Sequence, residues 1–193
     1  MTKKNINIIV HIPRKFYFAD AHLGHNAVIT MDNRPFKFVT DMNKAIINNY
    51  NDVIKTNDEV FMLGDIFWNR TVAEEFLPLM KGKKTLVKGN HDKINDVASR
   101  HFDTIVDSTE VRDGDYKIIL SHYPIAFWKG QHRGSYHLHG HTHATIEHTQ
   151  FLEFLNSIGR GGTQGNKGRA INVGVMHPWI NYTPRTFEEI ISY

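Results

Sequence analysis

The sequence predicts an α/β fold whose first half rests on parallel strands. Two observations carry this. Short, nearly uninterrupted apolar runs recur, each stopping at a polar residue: FYFA (16–19) before Asp20, EVFML (59–63) before Gly64-Asp65, KTLVK (84–88) before Gly89-Asn90 and KIILS (117–121) before His122. Runs this short and this apolar suit strands covered on both faces. Helical patterns lie between them, and strands that alternate with helices build parallel sheets.

The elements follow in order. After the first strand, residues 41–55 place Met42, Ile46, Tyr50 and Val53 on one helical face. The strand at 59–63 leads to Thr71-x-x-Glu74, a capping box that opens a helix through Phe76, Leu77 and Met80. The strand at 84–88 is followed by a short helix over 93–101, with Ile94, Val97 and Ala98 inside. The later part reads as hairpin-like: residues 116–121, 135–140 and 170–175 are strands, with no long helix between the first two. Residues 159–169, GRGGTQGNKGR, read as a glycine-rich loop whose Arg160, Lys167 and Arg169 face solvent or reach a substrate. A second Thr-x-x-Glu box at Thr186 and Glu189 starts a terminal helix that runs to Tyr193.

Length and composition narrow the function classes. The chain of 193 residues suits one domain, 1–193, with a sizeable core. A net charge of +3 is compatible with a phosphorylated substrate and too mild to argue for nucleic-acid binding alone. With no cysteine, disulfides and thiolate–zinc chemistry are excluded, so a transition-metal site must use imidazole and oxygen ligands. The opening apolar run is too short for a signal peptide, and nothing approaches the roughly 20 apolar residues of a membrane span. A cytoplasmic protein is expected.

Thirteen histidines are the unusual count. In SYHLHGHTHA (135–144), His137, His139, His141 and His143 fall at every second residue, so an extended chain would project all four to one side. Elsewhere, the polar residue closing each apolar run is itself a metal-ligand type. Asp20 and His22 follow the first strand, Asp65 the second, Asn90 the third and His122 the next; His141 and His143 close the last. Ligands of open α/β sheets gather outside the carboxyl ends of strands. Seven O/N donors exceed the four or so that one zinc-like ion takes, and suit two ions about 3.5–4 Å apart that share a carboxylate. Asp65, with no second ligand beside it in sequence, is the natural bridge.

DAH (20–22), GD (64–65), GNHD (89–92), His122 and GHTH (140–143), in that order, resemble the calcineurin-like metallophosphoesterase family. DAHLGHNAV, NRPF (33–36) and INVGV (171–175) are similar to a compact bacterial and phage branch of it. The resemblance implies two mixed β-sheets flanked by helices in four layers. It implies two divalent metals (Mn, Fe, Ni or Zn): one held by Asp20, His22, Asp65 and His143, the other by Asp65, Asn90, His122 and His141. His91 would serve as the catalytic acid or charge stabiliser. The implied reaction is hydrolysis of a phosphomonoester or phosphodiester by a hydroxide bridging the two metals. Protein phosphatases of this superfamily carry GDxxDRG; here GDIFWNR (64–70) puts Trp68 in place of the second Asp, so that subclass is not expected and the partner that orients His91 is left open.

His25 is a candidate pocket residue, with Asn26 beside it, and Arg34 is a candidate phosphate clamp, guanidinium being suited to bidentate phosphate contact. Arg133 is a weaker clamp candidate, and Phe127 and Trp128 either stack a base or close a core. His137 and His139 are expected in supporting or surface roles, and His11, His101, His132, His148 and His177 facing solvent or bonded locally. Expected partners are a phosphoester substrate, with nucleotides and nucleic acid among the candidates, and no membrane; oligomeric state stays open. Two alternatives remain: a nuclease acting on RNA or DNA through the same site, and a non-catalytic binding module on this fold.

Overall fold

The computed structural model describes residues 12–160 and 168–193; His11 and the centre of the glycine-rich loop, including Lys167, lie outside the described residues. Two four-stranded sheets are flanked by helices. In the first, β1 (Lys15–Phe18), β2 (Glu59–Met62), β3 (Lys83–Val87) and β4 (Thr104–Val106) pair in sequence order, all parallel. Their apolar runs are buried on both faces for that reason. Phe18 packs edge-on against Tyr50 of α2 (Val39–Val53), whereas Tyr17 stacks on Phe61 and meets Phe187 of α6 (Phe187–Ser192) beside the second sheet. The connections after β1 are α1 (Val28–Met31) and α2; those after β2 and β3 are α3 (Arg70–Phe76) and α4 (Asp96–Ser99).

The second sheet runs β5 (Ser108–Asp113), β6 (Tyr116–Ser121), β7 (Tyr136–His139) and β8 (Ala170–Asn172). Only β5 and β6 form a hairpin, turning at Gly114 with φ 56°; β6, β7 and β8 are parallel neighbours. The hairpin-like reading of the later strands is therefore corrected. A loop with one 3₁₀ turn, Gln131–Arg133, joins β6 to β7, and a helix that patterning did not reveal, α5 (Ile146–Ser157), lies between β7 and β8. Its apolar residues encircle the axis: Leu155 is buried while Ile146 and Phe154 are exposed, so no stripe marks it.

Alternation on β6 separates two cores. Ile118 and Leu120, with Leu138 and Ile171, join the cluster of the first sheet, whereas Ile119 packs with Trp128, Leu155 and Ala170 under α5. The layers are thus helix, sheet, sheet, helix. Caps fix the helix starts. Thr186 and Glu189 close a reciprocal box at α6, as expected. At α3 the predicted box is not used: Asn69 Oδ1 accepts from Val72 N (3.1 Å), starting the helix at Arg70, and Glu74 turns to Arg70 Nε (2.9 Å) and Asn95 Nδ2 (3.1 Å). Among the described residues no helix is long and apolar enough to cross a membrane.

Candidate metal centre

The carboxyl ends of β1, β2, β3, β6 and β7 converge, and the chain leaves each strand through a tight turn. Asp20, His22, Asp65, His141 and His143 all have positive φ, between 46° and 69°, five of the eight described non-glycine residues that do. Asp and His tolerate this region better than most side chains, and strained backbone of this kind collects at functional sites. It also breaks the alternation of the histidine run. β7 ends at His139; beyond Gly140 the turns swing His141 and His143 onto the strand ends, while His137 and His139 stay on the α5 face of the sheet.

Two clusters of potential ligand atoms result: Asp20, His22 and His143 in one, Asp65, His122 and His141 in the other, each within 4.8 Å. Asn90 joins the second, its Oδ1 lying 3.1 Å from His122 Nε2. Asp65 Oδ2 stands between the clusters, 3.8 Å from His22 Nε2 and 3.5 Å from His122 Nε2. His22 Nε2 faces His143 Nε2 at 3.2 Å, and His22 Nδ1 is buried without a partner. Nitrogen lone pairs aimed at one another across carboxylates suit a shared cation, and the imidazole–carboxylate–amide set fits borderline divalent metals.

The electrostatics agree with that fit. Burial pushes the Asp20 carboxyl up to about 6 against the pull of His143 and His122. Asp65 is also buried, which opposes ionisation, yet the hydrogen bond and charge of His122 hold it down at about 2. Burial, then His143, drives His22 down to about 3 despite Asp65, leaving its imidazole neutral as a ligand must be.

Residues around the clusters set their geometry, and two acids lead: Asp32, which no motif marks, and Asp92, the last residue of GNHD. Asp32 Oδ1 accepts from His143 Nδ1 at 2.7 Å, the carboxylate–histidine arrangement that fixes a ligand ring. Asp92 turns away from His91 and accepts from the backbone N–H groups of Asp65 (2.8 Å), Ile66 (3.0 Å) and Gly89 (2.9 Å), tying two ligand loops together. The expectation for Arg34 is corrected. Its side chain is 0% exposed, donating to Asp32, to Ala21 O (2.8 Å) and to Asp20 O (2.8 Å), so it braces the first ligand turn and has no face for a phosphate. Asn172, in INVGV, donates to Thr142 Oγ1 and His143 O, holding the GHTH turn from β8.

His91 sits at the rim with its side chain 41% exposed, its N–H bonded to Asp65 Oδ1 (2.8 Å) and its Nε2 4.0 Å from Asp65 Oδ2. Its ring lies 5.2 Å from Trp68 and 5.6 Å from His22, so aromatic contact stands where the protein phosphatases use a carboxylate. His25 stacks flat on Trp68, centroids 3.6 Å apart and 3° from parallel, with its ring 5.6 Å from that of His22; Asn26 is exposed. His137 is not a surface residue: its Nε2 accepts from Ile125 N and its Nδ1 bonds Ile119 O. His139 is buried likewise, against Phe151 and His148. His177 is buried too, against His148 and Trp179, rather than solvent-facing. Trp128 closes the α5 core, Phe127 is exposed against Phe154, and Arg133 lies on the surface away from both clusters.

Comparisons with known proteins identify relatives and a family for this chain. Uncharacterized protein MJ1445 of Methanocaldococcus jannaschii is 32% identical over 183 residues, 93% of this chain and 90% of that protein. The Gene 66 protein of Mycobacterium phage D29 is 27% identical over 160 residues, 68% of this chain and 79% of its own. Among solved structures, protein AQ665 of Aquifex aeolicus superposes with TM-score 0.70 at 25% identity, covering 93% of this chain and 98% of that one. The family model of the calcineurin-like phosphoesterase superfamily domain matches residues 17–187, which contain every ligand-type residue of both clusters. The chain therefore belongs to the calcineurin-like phosphoesterase superfamily.

Proposed function

We propose that the protein hydrolyses phosphoester bonds with two divalent cations, chosen from Mn, Fe, Ni and Zn, the first on Asp20, His22, Asp65 and His143 and the second on Asp65, Asn90, His122 and His141. The observation that carries this reading is the placement of Asp65 Oδ2 between His22 and His122, with one donor cluster on each side. Such a cation pair supplies Lewis acidity toward phosphate oxygens and an activated water. The chain supplies the rest. Asp32, Arg34 and Asp92 hold the ligand turns. His91, partly exposed beside Asp65, reaches the leaving oxygen and donates the proton it needs as one P–O bond breaks and the bond to the water oxygen forms.

The test is release of nitrophenol from p-nitrophenyl phosphate and from its bis-ester by protein stripped of metal and then loaded with each cation. Activity that requires metal and disappears in Asn90→Ala and His122→Ala is expected. Full activity in those variants, or in chelator, would overturn the reading.

A further inference from the structure

The rim of the site holds aromatic surface that the hydrolysis itself does not use. Trp68 is 37% exposed and Tyr123 47%, which leaves ring surface open to a ligand. Both touch the proposed machinery. Trp68 is anchored by its backbone N–H to Leu23 O (2.9 Å) and lies against His25 and His91, at the His22 end. Tyr123 lies 4.5 Å from His141 and 5.1 Å from His122, at the other end. The two metal clusters are thus bracketed by open rings, and on one side the ring is already laid flat in a two-ring stack with His25.

Arg34, the candidate clamp for a highly charged monoester, is not free to meet one. Arg34 is turned inward onto Asp32, Arg70 pairs with Glu74, and Lys88 pairs with Asp107. A phosphate that carries one charge and two aromatic neighbours suits these surroundings better than a dianion does. Bases stack on exposed aromatic rings when they are free of a duplex partner.

We propose that the substrate is a nucleobase-flanked phosphodiester, a dinucleotide or single-stranded oligonucleotide, with one base on the Trp68–His25 stack and the next on Tyr123. This rests on the hydrolase reading above and narrows its substrate class. The experiment compares thymidylyl-thymidine with the same deoxyribose phosphodiester lacking both bases. Metal-loaded protein is expected to cut the first with kcat/KM at least about tenfold higher, since stacking of each base contributes on that order. Trp68→Ala and Tyr123→Ala should each remove about tenfold, chiefly through KM, while Trp68→Phe and Tyr123→Phe retain the preference. In metal-free protein, thymidylyl-thymidine should quench tryptophan fluorescence, and Trp68→Phe should abolish the quench although Trp128 and Trp179 remain. Equal cleavage of both diesters overturns the stacking proposal and leaves the hydrolase reading standing. No cleavage of either diester overturns the nucleobase-flanked phosphodiester as the substrate, with or without the quench. The hydrolase reading falls only if metal-loaded protein also leaves p-nitrophenyl phosphate and its bis-ester uncut.

Discussion

Replacing Asp32 by Ala tests the outer support of the site most directly. Its side chain is 4% exposed and does two jobs: Oδ1 accepts from His143 Nδ1 at 2.7 Å, and Oδ2 accepts from Arg34 Nη2 at 2.7 Å and Nε at 3.0 Å. Losing the second job leaves a fully buried guanidinium without its anion, a change that costs about 3–5 kcal/mol. Arg34 keeps the carbonyls of Ala21 and Asp20, which places the expected loss near the lower end, about 3 kcal/mol. Losing the first job frees the His143 ring, and removing such a partner lowers metal affinity about 10–100-fold. The two effects separate experimentally: urea unfolding in chelator reads the first, and calorimetric titration with Mn²⁺ reads the second. Asp32→Asn keeps an acceptor for His143, so its metal affinity should fall less than that of the Ala variant. The acid limb carries a further sign. Burial would raise the Asp32 carboxyl, but His143 and Arg34 outweigh it and hold it below its ordinary value. Its contribution is therefore present at neutral pH and lost as pH falls below the ordinary carboxylate range, and the Ala variant should lack that slope. An Ala variant within about 0.5 kcal/mol of wild type, a difference typical of an inconsequential surface site, and with unchanged Mn²⁺ affinity, would refute the reasoning.

Three further outcomes are expected. A Cβ at Gly140 would lie 2.6 Å from Asp20 Oδ2 and 2.7 Å from Ala19 Cβ, so Gly140→Ala should displace that carboxylate and weaken metal binding tenfold or more with every ligand-type residue still present, read by the same titration. In metal-free protein the Asp20 carboxyl, raised from 3.8 to about 6, stabilises the fold at low pH, and that contribution fades as pH rises through 6. Unfolding in chelator at pH 4 and pH 7 should therefore show a difference of about 2 kcal/mol between wild type and Asp20→Asn in their pH response. Thr186→Ala should cost about 0.5–2 kcal/mol by removing the α6 cap, seen as a lower urea midpoint with activity retained in the folded protein.

The sequence discloses the parallel half of the fold because burial on both faces demands an unbroken apolar run, and because the functional residue sits directly where the run ends. β5 was hidden for the opposite reason: STEVRD alternates between exposed and half-buried positions and contains no run. Strand β4 is only three residues long. Asp32 escaped notice because nothing in MDNRPF marks an acid 111 residues from the histidine it holds. Arg34 drew attention for a property, bidentate binding of anions, that the fold spends on Asp32 instead. The every-second-residue spacing of the four histidines does not itself divide them into ligands and supports: alternation applies only while the chain stays extended, and the left-handed turns at His141 and His143 cancel it.

The two sheets share no ladder of paired strands, yet Ala19 and Gly174 form a bridge just past β1 and β8, with Ala19 N donating to Val173 O and Val175 N to Ala19 O. Asp20 continues that stitch by accepting the N–H of His141, 121 residues away. A cation held by Asp20 and His143 would act there as a cross-link, closing a long loop of the unfolded chain much as a disulfide does, in a chain that has no cysteine to make one. Loading the site and fastening the two halves together would then be a single equilibrium, so metal supply would govern how long the molecule stays folded as well as what it catalyses.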